Sequence, residues 1–181
     1  MLKCVVYQQR GKDALARISL PEGYTCSFWR PGLFRVVPPG LPGLPFATCW
    51  LMHFLGVFSN REYGVLMIHC RGELVHRSVV FPRYFRFPFM GDTDLQIGYT
   101  WTRELHRGKG LAGFAIQAIR DRDPRPDRIY WYVCEEANLA SIRVVEKLGF
   151  RKAGDCVRVS RFGLRLLGAF IIAGPSPVRG V

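Results

Sequence analysis

An α+β domain built on one mixed sheet is the fold class this sequence predicts, and three observations carry that reading. Strand-like runs dominate residues 63–102. A strand–helix–strand–helix–strand order follows from residue 94 onward, which implies at least one parallel crossover in a sheet otherwise linked by hairpins. The length of 181 residues suits one domain and is short for two. The expected organisation is one domain over 1–181.

Taken in chain order, residues 1–37 give short apolar stretches broken by Gly11, Pro21, Gly23, Pro31 and Gly32, and no element is assigned to them. Pro38-Pro39-Gly40-Leu41-Pro42-Gly43-Leu44-Pro45 excludes helix and central strand and reads as a rigid surface loop. The apolar run 46–58 predicts a helix, closed by Ser59-Asn60. It is shorter than the ~20 residues a membrane span requires. Runs 63–69 and 74–81 flank the turn Cys70-Arg71-Gly72-Glu73 and predict an antiparallel hairpin. Between Pro82 and Pro88 arginines and aromatics interleave, as Arg83-Tyr84-Phe85-Arg86-Phe87.

Residues 94–102 predict a further strand, with Gln96, Gly98, Thr100 and Thr102 on one face and Leu95, Ile97, Tyr99 and Trp101 on the other. The glycines of 108–110 open a helix over 111–121 whose apolar stripe is Leu111, Ala112, Ala115, Ile116 and Ile119. Asp123-Pro124-Arg125-Pro126 stops it. A strand over 129–134 follows, then a helix from Asn138 to Leu148 closed by Gly149, where a left-handed cap is wanted. Residues 150–172 predict a closing hairpin with its turn near Phe162-Gly163.

Composition narrows the function classes. A hydrophobic fraction of 49 % and a charged fraction of 22 % exclude a disordered or low-complexity chain. Lys+Arg number 26 against 14 Asp+Glu, a net charge of +12. That surplus favours an anionic partner: nucleic acid, a phosphorylated cofactor or a membrane face. The six cysteines (Cys4, Cys26, Cys49, Cys70, Cys134 and Cys156) contain no CxxC pair, so neither a metal site nor a disulfide framework is expected. Free thiols, together with an N-terminus lacking an apolar signal region, predict a cytoplasmic protein with no membrane span.

The chemistry concentrates in two places. Arg107-Gly108-Lys109-Gly110-Leu111-Ala112 joins a strand to a helix. Glycines there let backbone N–H groups turn inward, and the helix adds its positive end, so the loop suits phosphate oxygens. It is neither a GxxxxGK[ST] loop nor a supported GxGxxG fingerprint. The second place is Asn138-Leu139-Ala140-Ser141 followed by Glu146-Lys147-Leu148-Gly149-Phe150. Asparagine at 138 suits a helix N-cap as well as a ligand.

The pattern R-x-x-G-x-A at 107–112, with N-x-x-S-x-x-x-x-E-K-x-G-F at 138–150, resembles the GCN5-related N-acetyltransferase (GNAT) family. Ile97-Gly98-Tyr99 is also similar to the ribosomal-protein-acetylating branch of that family. The resemblance covers residues 94–155, which it implies are an acetyl-CoA-binding core. It implies a mostly antiparallel sheet splayed at the cofactor site with flanking helices, and acetyl-CoA as co-substrate. Arg107, Gly108, Lys109, Gly110, Leu111 and Ala112 would bind the pyrophosphate. Thr102, Arg103 and Glu104 would meet the pantetheine arm and thioester. Asn138 and Ser141 would complete the cofactor site. Residues 1–60 would carry the acceptor side.

Two positions depart from the family pattern. Gln96 stands where many members carry a glutamate base, and Val145 where many carry a tyrosine that protonates the leaving thiolate. The candidates left for proton transfer are Asp94, Tyr99, Glu104, Glu135 and His76, with His106 beside the loop as a phosphate contact or a solvated residue. A lysine amine is neutral in about one molecule per few thousand at pH 7, and an α-amine in roughly one of six to ten. Without a base at 96, a low-pKa small-molecule amine is the expected acceptor, such as an amino sugar or its nucleotide-linked form. The alternatives are a protein N-terminal or lysine acetyltransferase, a catalytically inactive CoA-binding protein and a basic nucleic-acid-binding module. A homodimer is compatible with the reading, and nucleic acid is not the expected partner because the basic residues are dispersed.

Overall fold

The computed structural model describes all residues except 1–2, 12, 14–16, 123–124, 162–163 and 174–181, and side chains are not described at 161 and 164–167. The expected turn at Phe162-Gly163, and Asp123-Pro124 of the expected helix stop, lie outside the described residues. Among those described, eight strands form one sheet: β1 (Lys3–Arg10), β2 (Tyr24–Trp29), β3 (Gly64–Cys70), β4 (Glu73–Pro82), β5 (Leu95–Thr102), β6 (Ile129–Glu135), β7 (Arg151–Arg161) and β8 (Leu164–Ala173). Their spatial order is β2-β3-β4-β5-β6-β1-β7-β8. Every neighbouring pair is antiparallel except β5 with β6. Helices α1 (Gly43–Phe54), α2 (Leu111–Asp121) and α3 (Leu139–Lys147) complete the described fold, with a 3-10 turn over Glu104–His106.

The sheet separates two apolar layers. On one face Val5, Tyr7, Val80, Leu95, Ile97, Tyr130 and Tyr132 pack with Leu111, Ala115, Ile116 and Ile119 of α2 and Val145 of α3. On the other, Cys4, Val6, Val79, Phe81 and Trp131 pack with Phe46 of α1 and with Tyr84, Phe87 and Met90. Two of the three rings of the 83–87 segment are therefore core: Tyr84 and Phe87 are buried, Phe87 stacks on Phe170 at 5.6 Å, and Phe85 is half-buried against them.

Three expectations are corrected. Residues 1–37 contain two strands, and β1 lies in the interior of the sheet between β6 and β7. Its run Cys4-Val5-Val6-Tyr7 is buried on both faces, so it lacks the alternation by which a half-exposed strand is read. The first helix starts at Gly43, so Pro45 is helical. It falls in the first turn, where a missing N–H costs no helical hydrogen bond. The same helix ends after Phe54 rather than at residue 58, because Gly56 adopts a left-handed φ of 70°. The β3–β4 hairpin stands as read, turning through Arg71 and Gly72 at φ 51° and 81°.

Candidate active site

The site begins where a parallel pair comes apart. β5 and β6 are in register only over Leu95–Tyr130, Gln96–Trp131 and Ile97–Tyr132. Beyond Ile97, β5 continues against β4 and β6 continues against β1. A wedge opens between them, a cleft of about 320 Å³ whose lining includes Gly98, Tyr99, Thr100, Tyr132, Glu135, Asn138 and Ser141. Cys134 of β6 lines it too, and Cys4, Arg158 and Phe170 reach it from β1, β7 and β8.

A bulge shapes the β5 side of the wedge. The β4–β5 register slips between Arg77 and Val79, which oppose Trp101 and Gly98. Tyr99 takes a φ of 48°, and the side-chain alternation inverts there. Tyr99 therefore does not share a face with Leu95 and Ile97, as simple alternation predicts. It is 62 % exposed, and its ring lies 5.7 Å from that of Phe81 on the opposite face. Just before the bulge, Gln96 is buried and donates through Nε2 to the Ile97 carbonyl at 2.9 Å. A Cβ at residue 98 would lie 2.3 Å from that Nε2, so glycine there makes room for the Gln96 amide.

The phosphate-type loop stands at the far end of β5. Gly108 and Gly110 both have φ 76°, and a Cβ at either would meet nothing within 4 Å. No side chain caps α2, so the backbone N–H groups of its first turn face outward without a side-chain acceptor. The loop is tethered by a residue the sequence did not single out. Lys109 Nζ donates to the Tyr24 hydroxyl at 3.1 Å, and that hydroxyl lies 2.8 Å from His106 Nδ1. His106 is thereby held against β2. These uncapped amides, open glycines and flanking cations fit the pyrophosphate of CoA.

The sequence-predicted residues divide into those brought to the cleft and those kept from it. Tyr99, Glu135, Asn138 and Ser141 line it. Asp94 sits at the other end of β5, buried, accepting from the Gly91 N–H at 2.7 Å and the Trp131 indole at 2.9 Å. That is a structural post and not a cleft acid. Arg103 pairs with Glu73 at 2.6 Å, and Glu104 is exposed 3.7 Å from Arg107. Neither side chain lines the wedge. Thr102 turns its hydroxyl to His76 Nδ1, 2.8 Å away. Val145 is fully buried in the core.

Asn138 is an N-cap, its Oδ1 accepting from the Ser141 N–H at 3.1 Å. Asn138→Ala is expected to cost about 1 kcal/mol of stability and to weaken CoA binding as well. Denaturant melts and calorimetry on the same variant separate the two effects.

Sequence reasoning also missed the polar groups around His76. His76 Nε2 lies 3.1 Å from Ser78 Oγ, and Ser78 Oγ 3.2 Å from Thr100 Oγ1. Thr100 brings this run of side chains to the cleft, whose wall it shares with Tyr132 and Ser141. The residues come from three strands and a helix, and local sequence carries no signal of their meeting.

Burial, helped by the Arg77 charge, pushes the His76 pKa from 6.5 down to about 4. The unfolded chain takes up a proton that the folded chain refuses, so stability falls as pH drops from about 6.5 to about 4. This one group accounts for about 3 kcal/mol of that loss. Urea midpoints measured from pH 7 to pH 4 are expected to fall more steeply for the wild type than for His76→Gln. Parallel slopes would show that the imidazole is not buried neutral.

Residues 47–151 match the family profile of an acetyltransferase (GNAT) domain, a region that begins well before residue 94. Among solved structures, a Drosophila protein superposes with a TM-score of 0.57 at 16 % identity, covering 85 % of this chain and 48 % of that one. A tandem GNAT protein from the clavulanic acid biosynthesis pathway gives 0.57 at 16 %, covering 83 % and 50 %. A GNAT-family acetyltransferase from Colwellia psychrerythraea gives 0.54 at 15 %, covering 84 % and 53 %. The chain spans about half the length of these structures, and at such identities the likeness is one of fold. No curated protein matches the chain. Among the described residues no helix is long and apolar enough to cross a membrane, and no group of three or more potential metal ligands assembles.

Proposed function

Because the chain belongs to the GNAT acetyltransferase domain family, we propose that it is an acetyl-CoA-dependent N-acetyltransferase acting on a primary amine of a small acceptor. The observation that supports it most is the wedge between β5 and β6, with the uncapped N-terminus of α2 at the end of the loop that leaves β5. Backbone amides of 108–112, with Arg107 and Lys109, would hold the pyrophosphate. Asn138 and Ser141 would face the pantetheine arm. When bound, acetyl-CoA supplies an acetyl group activated as its thioester. The protein's part is to hold a neutral amine in line with that carbonyl, exclude competing water and manage two protons. The chain acts as one domain, with 94–155 as the cofactor core, and works in the cytoplasm.

An amino sugar or a nucleotide-linked amino sugar is the acceptor class this reading favours. Two features support it: Gln96 cannot act as a base, which suits an amine of low pKa, and a net charge of +12 attracts anionic nucleotides and repels basic peptides. The interleaved arginines and aromatics of 83–87 lend it little, since Tyr84 and Phe87 are core. The second reading, acetylation of a protein amine, is favoured by the likeness of Ile97-Gly98-Tyr99 to the ribosomal-protein branch.

The test is thiol release from acetyl-CoA with a nucleotide-linked amino sugar and with a basic peptide, each at low and high salt. Faster turnover of the sugar at low salt, with the preference narrowing as salt rises, supports the first reading. Faster acetylation of the peptide at both salts establishes the second. Cofactor binding without turnover of either amine reduces the protein to a CoA-binding module.

A further inference from the structure

An apolar surface lies on the α1 side of the sheet, and the cleft makes no use of it. Gly32 and Arg35 close a tight turn, the Arg35 N–H donating to the Gly32 carbonyl at 3.1 Å. At its tip Leu33 is 72 % exposed and Phe34 98 %. The Trp50 indole N–H donates to the Gly32 carbonyl at 2.8 Å, which moors the turn to α1. Trp50 in its turn packs against Phe54, ring centroids 4.8 Å apart. Leu44, Leu51 and Leu55, the last at the C-cap, are exposed and fall at helical spacing on one side of the helix.

α1 contains no Asp, Glu, Lys or Arg, and its histidine, His53, is buried. A helix without a charged face is ordinarily covered on all sides. Here Phe46 and His53 face the core, while the leucines face water. Apolar side chains grouped in this way mark a docking surface, and the charges around it show what it docks to. Arg30 and Arg35 flank the turn, and Arg61 follows the helix. No Asp or Glu occurs between Glu22 and Glu62, and Arg30 holds Glu62 at 2.8 Å. The apolar tip thus has cations at its base, in a stretch of chain without carboxylates to oppose an anion.

We propose that this face docks the protein on the surface of a bilayer containing anionic lipid. Phe34 and Leu33 enter the acyl boundary, and Leu44, Leu51 and Leu55 lie beside them in the interface. Arg30 and Arg35 meet headgroup phosphates, their stems lying along the apolar side chains. Two observations favour a bilayer over a second copy of the chain. A ring as bare as that of Phe34 needs a matching hole in a protein partner and none in fluid hydrocarbon. Two copies, each with a net charge of +12, also repel one another. α1 packs on one layer of the sheet and α2 on the other, so docking through α1 leaves the 108–110 turn in water. The inference does not depend on the acetyltransferase reading.

The test is co-sedimentation of the full chain with sucrose-loaded phosphatidylcholine vesicles, made with and without phosphatidylserine. Retention is expected on the phosphatidylserine vesicles, and it weakens as salt screens the headgroup charge. Phe34→Ser is expected to lower the partition coefficient at least about tenfold, and Leu51→Ser to lower it in the same direction. Arg35→Glu weakens binding to the phosphatidylserine vesicles and not to phosphatidylcholine alone. Leu139→Ser removes an exposed leucine from α3, on the other side of the sheet, and is expected to change nothing. Thermal melts establish that each variant is folded, which the exposure of these side chains favours. A wild type that stays in the supernatant with phosphatidylserine vesicles overturns the proposal. So does equal retention of wild type, Phe34→Ser and Leu51→Ser, which would mean adsorption by charge alone. A dimer at sedimentation equilibrium that Phe34→Ser dissolves would assign the face to a second copy and overturn it too.

Discussion

Gly110→Val is expected to weaken acetyl-CoA binding by at least about tenfold while leaving the fold intact. Gly110 holds a φ of 76° at the N-cap of α2. A residue with a Cβ is strained there by about 1–2 kcal/mol, and a β-branched one loses rotamer freedom besides. The loop can relieve this only by moving, which turns its N–H groups off the phosphate oxygens. The strain alone corresponds to about a factor of ten in affinity, and lost hydrogen bonds add to it. Gly40 provides the control, with the same φ of 76° and equally open space around a Cβ. Gly40→Val carries the same strain without touching the loop, so calorimetry should find its affinity unchanged. Equal losses in both variants would mean that the loop does not hold the cofactor.

The second large effect is on stability. Asp94→Ala is expected to destabilise the protein by about 3–5 kcal/mol, a fall of roughly 10 °C in Tm. The buried Asp94 carboxylate receives the Gly91 and Ile129 backbone N–H groups and the Trp131 indole N–H. Its charge also acts on the buried guanidinium of Arg128. Removing it strands buried donors and leaves Arg128 less compensated, a costlier outcome than losing one hydrogen bond. The folded fraction should keep its acetyl-CoA affinity and turnover, because Asp94 stands at the opposite end of β5 from the cleft. Calorimetric melting and single-turnover assays on the variant check both halves. A normal Tm with lost turnover would return Asp94 to the list of cleft acids.

How much could be read in advance follows from how local each signal is. The β3–β4 hairpin, α2 and α3 carry their own punctuation: Gly72 at a left-handed turn, Gly110 before α2, and Asn138 and Gly149 around α3. The glycine turn at 108–110 between β5 and α2 was legible for the same reason. β1 was not, because its apolar run acquires meaning only between two strands remote in sequence. The facing of Tyr99 was misjudged because the bulge is a property of the β4–β5 pair, and one strand read alone shows only alternation. Asp94 stood among the proton-transfer candidates because its hydrogen-bond partners, Gly91 apart, lie 35 and 37 residues away. His76 could be named as a titratable residue. Its partners Ser78 and Thr102 are ordinary polar positions, and only the folded sheet aligns them.

The interior place of β1 sets a timetable for synthesis. Its partners lie 119 to 154 residues further along, from Ile129 against Arg10 to Val157 against Lys3. At ribosomal elongation rates of about 5–20 residues per second, β1 waits roughly 6–30 s for both neighbours. Through that interval Cys4, Val5, Val6 and Tyr7 stand exposed with both edges unpaired, open to a chaperone or to a neighbouring nascent chain. The β2–β3–β4 meander, whose contacts are nearer in sequence, can assemble meanwhile. A ribosome stalled after α2 would therefore display a half-built sheet with its middle strand adrift, and that species, rather than the finished protein, is the one the cell must guard.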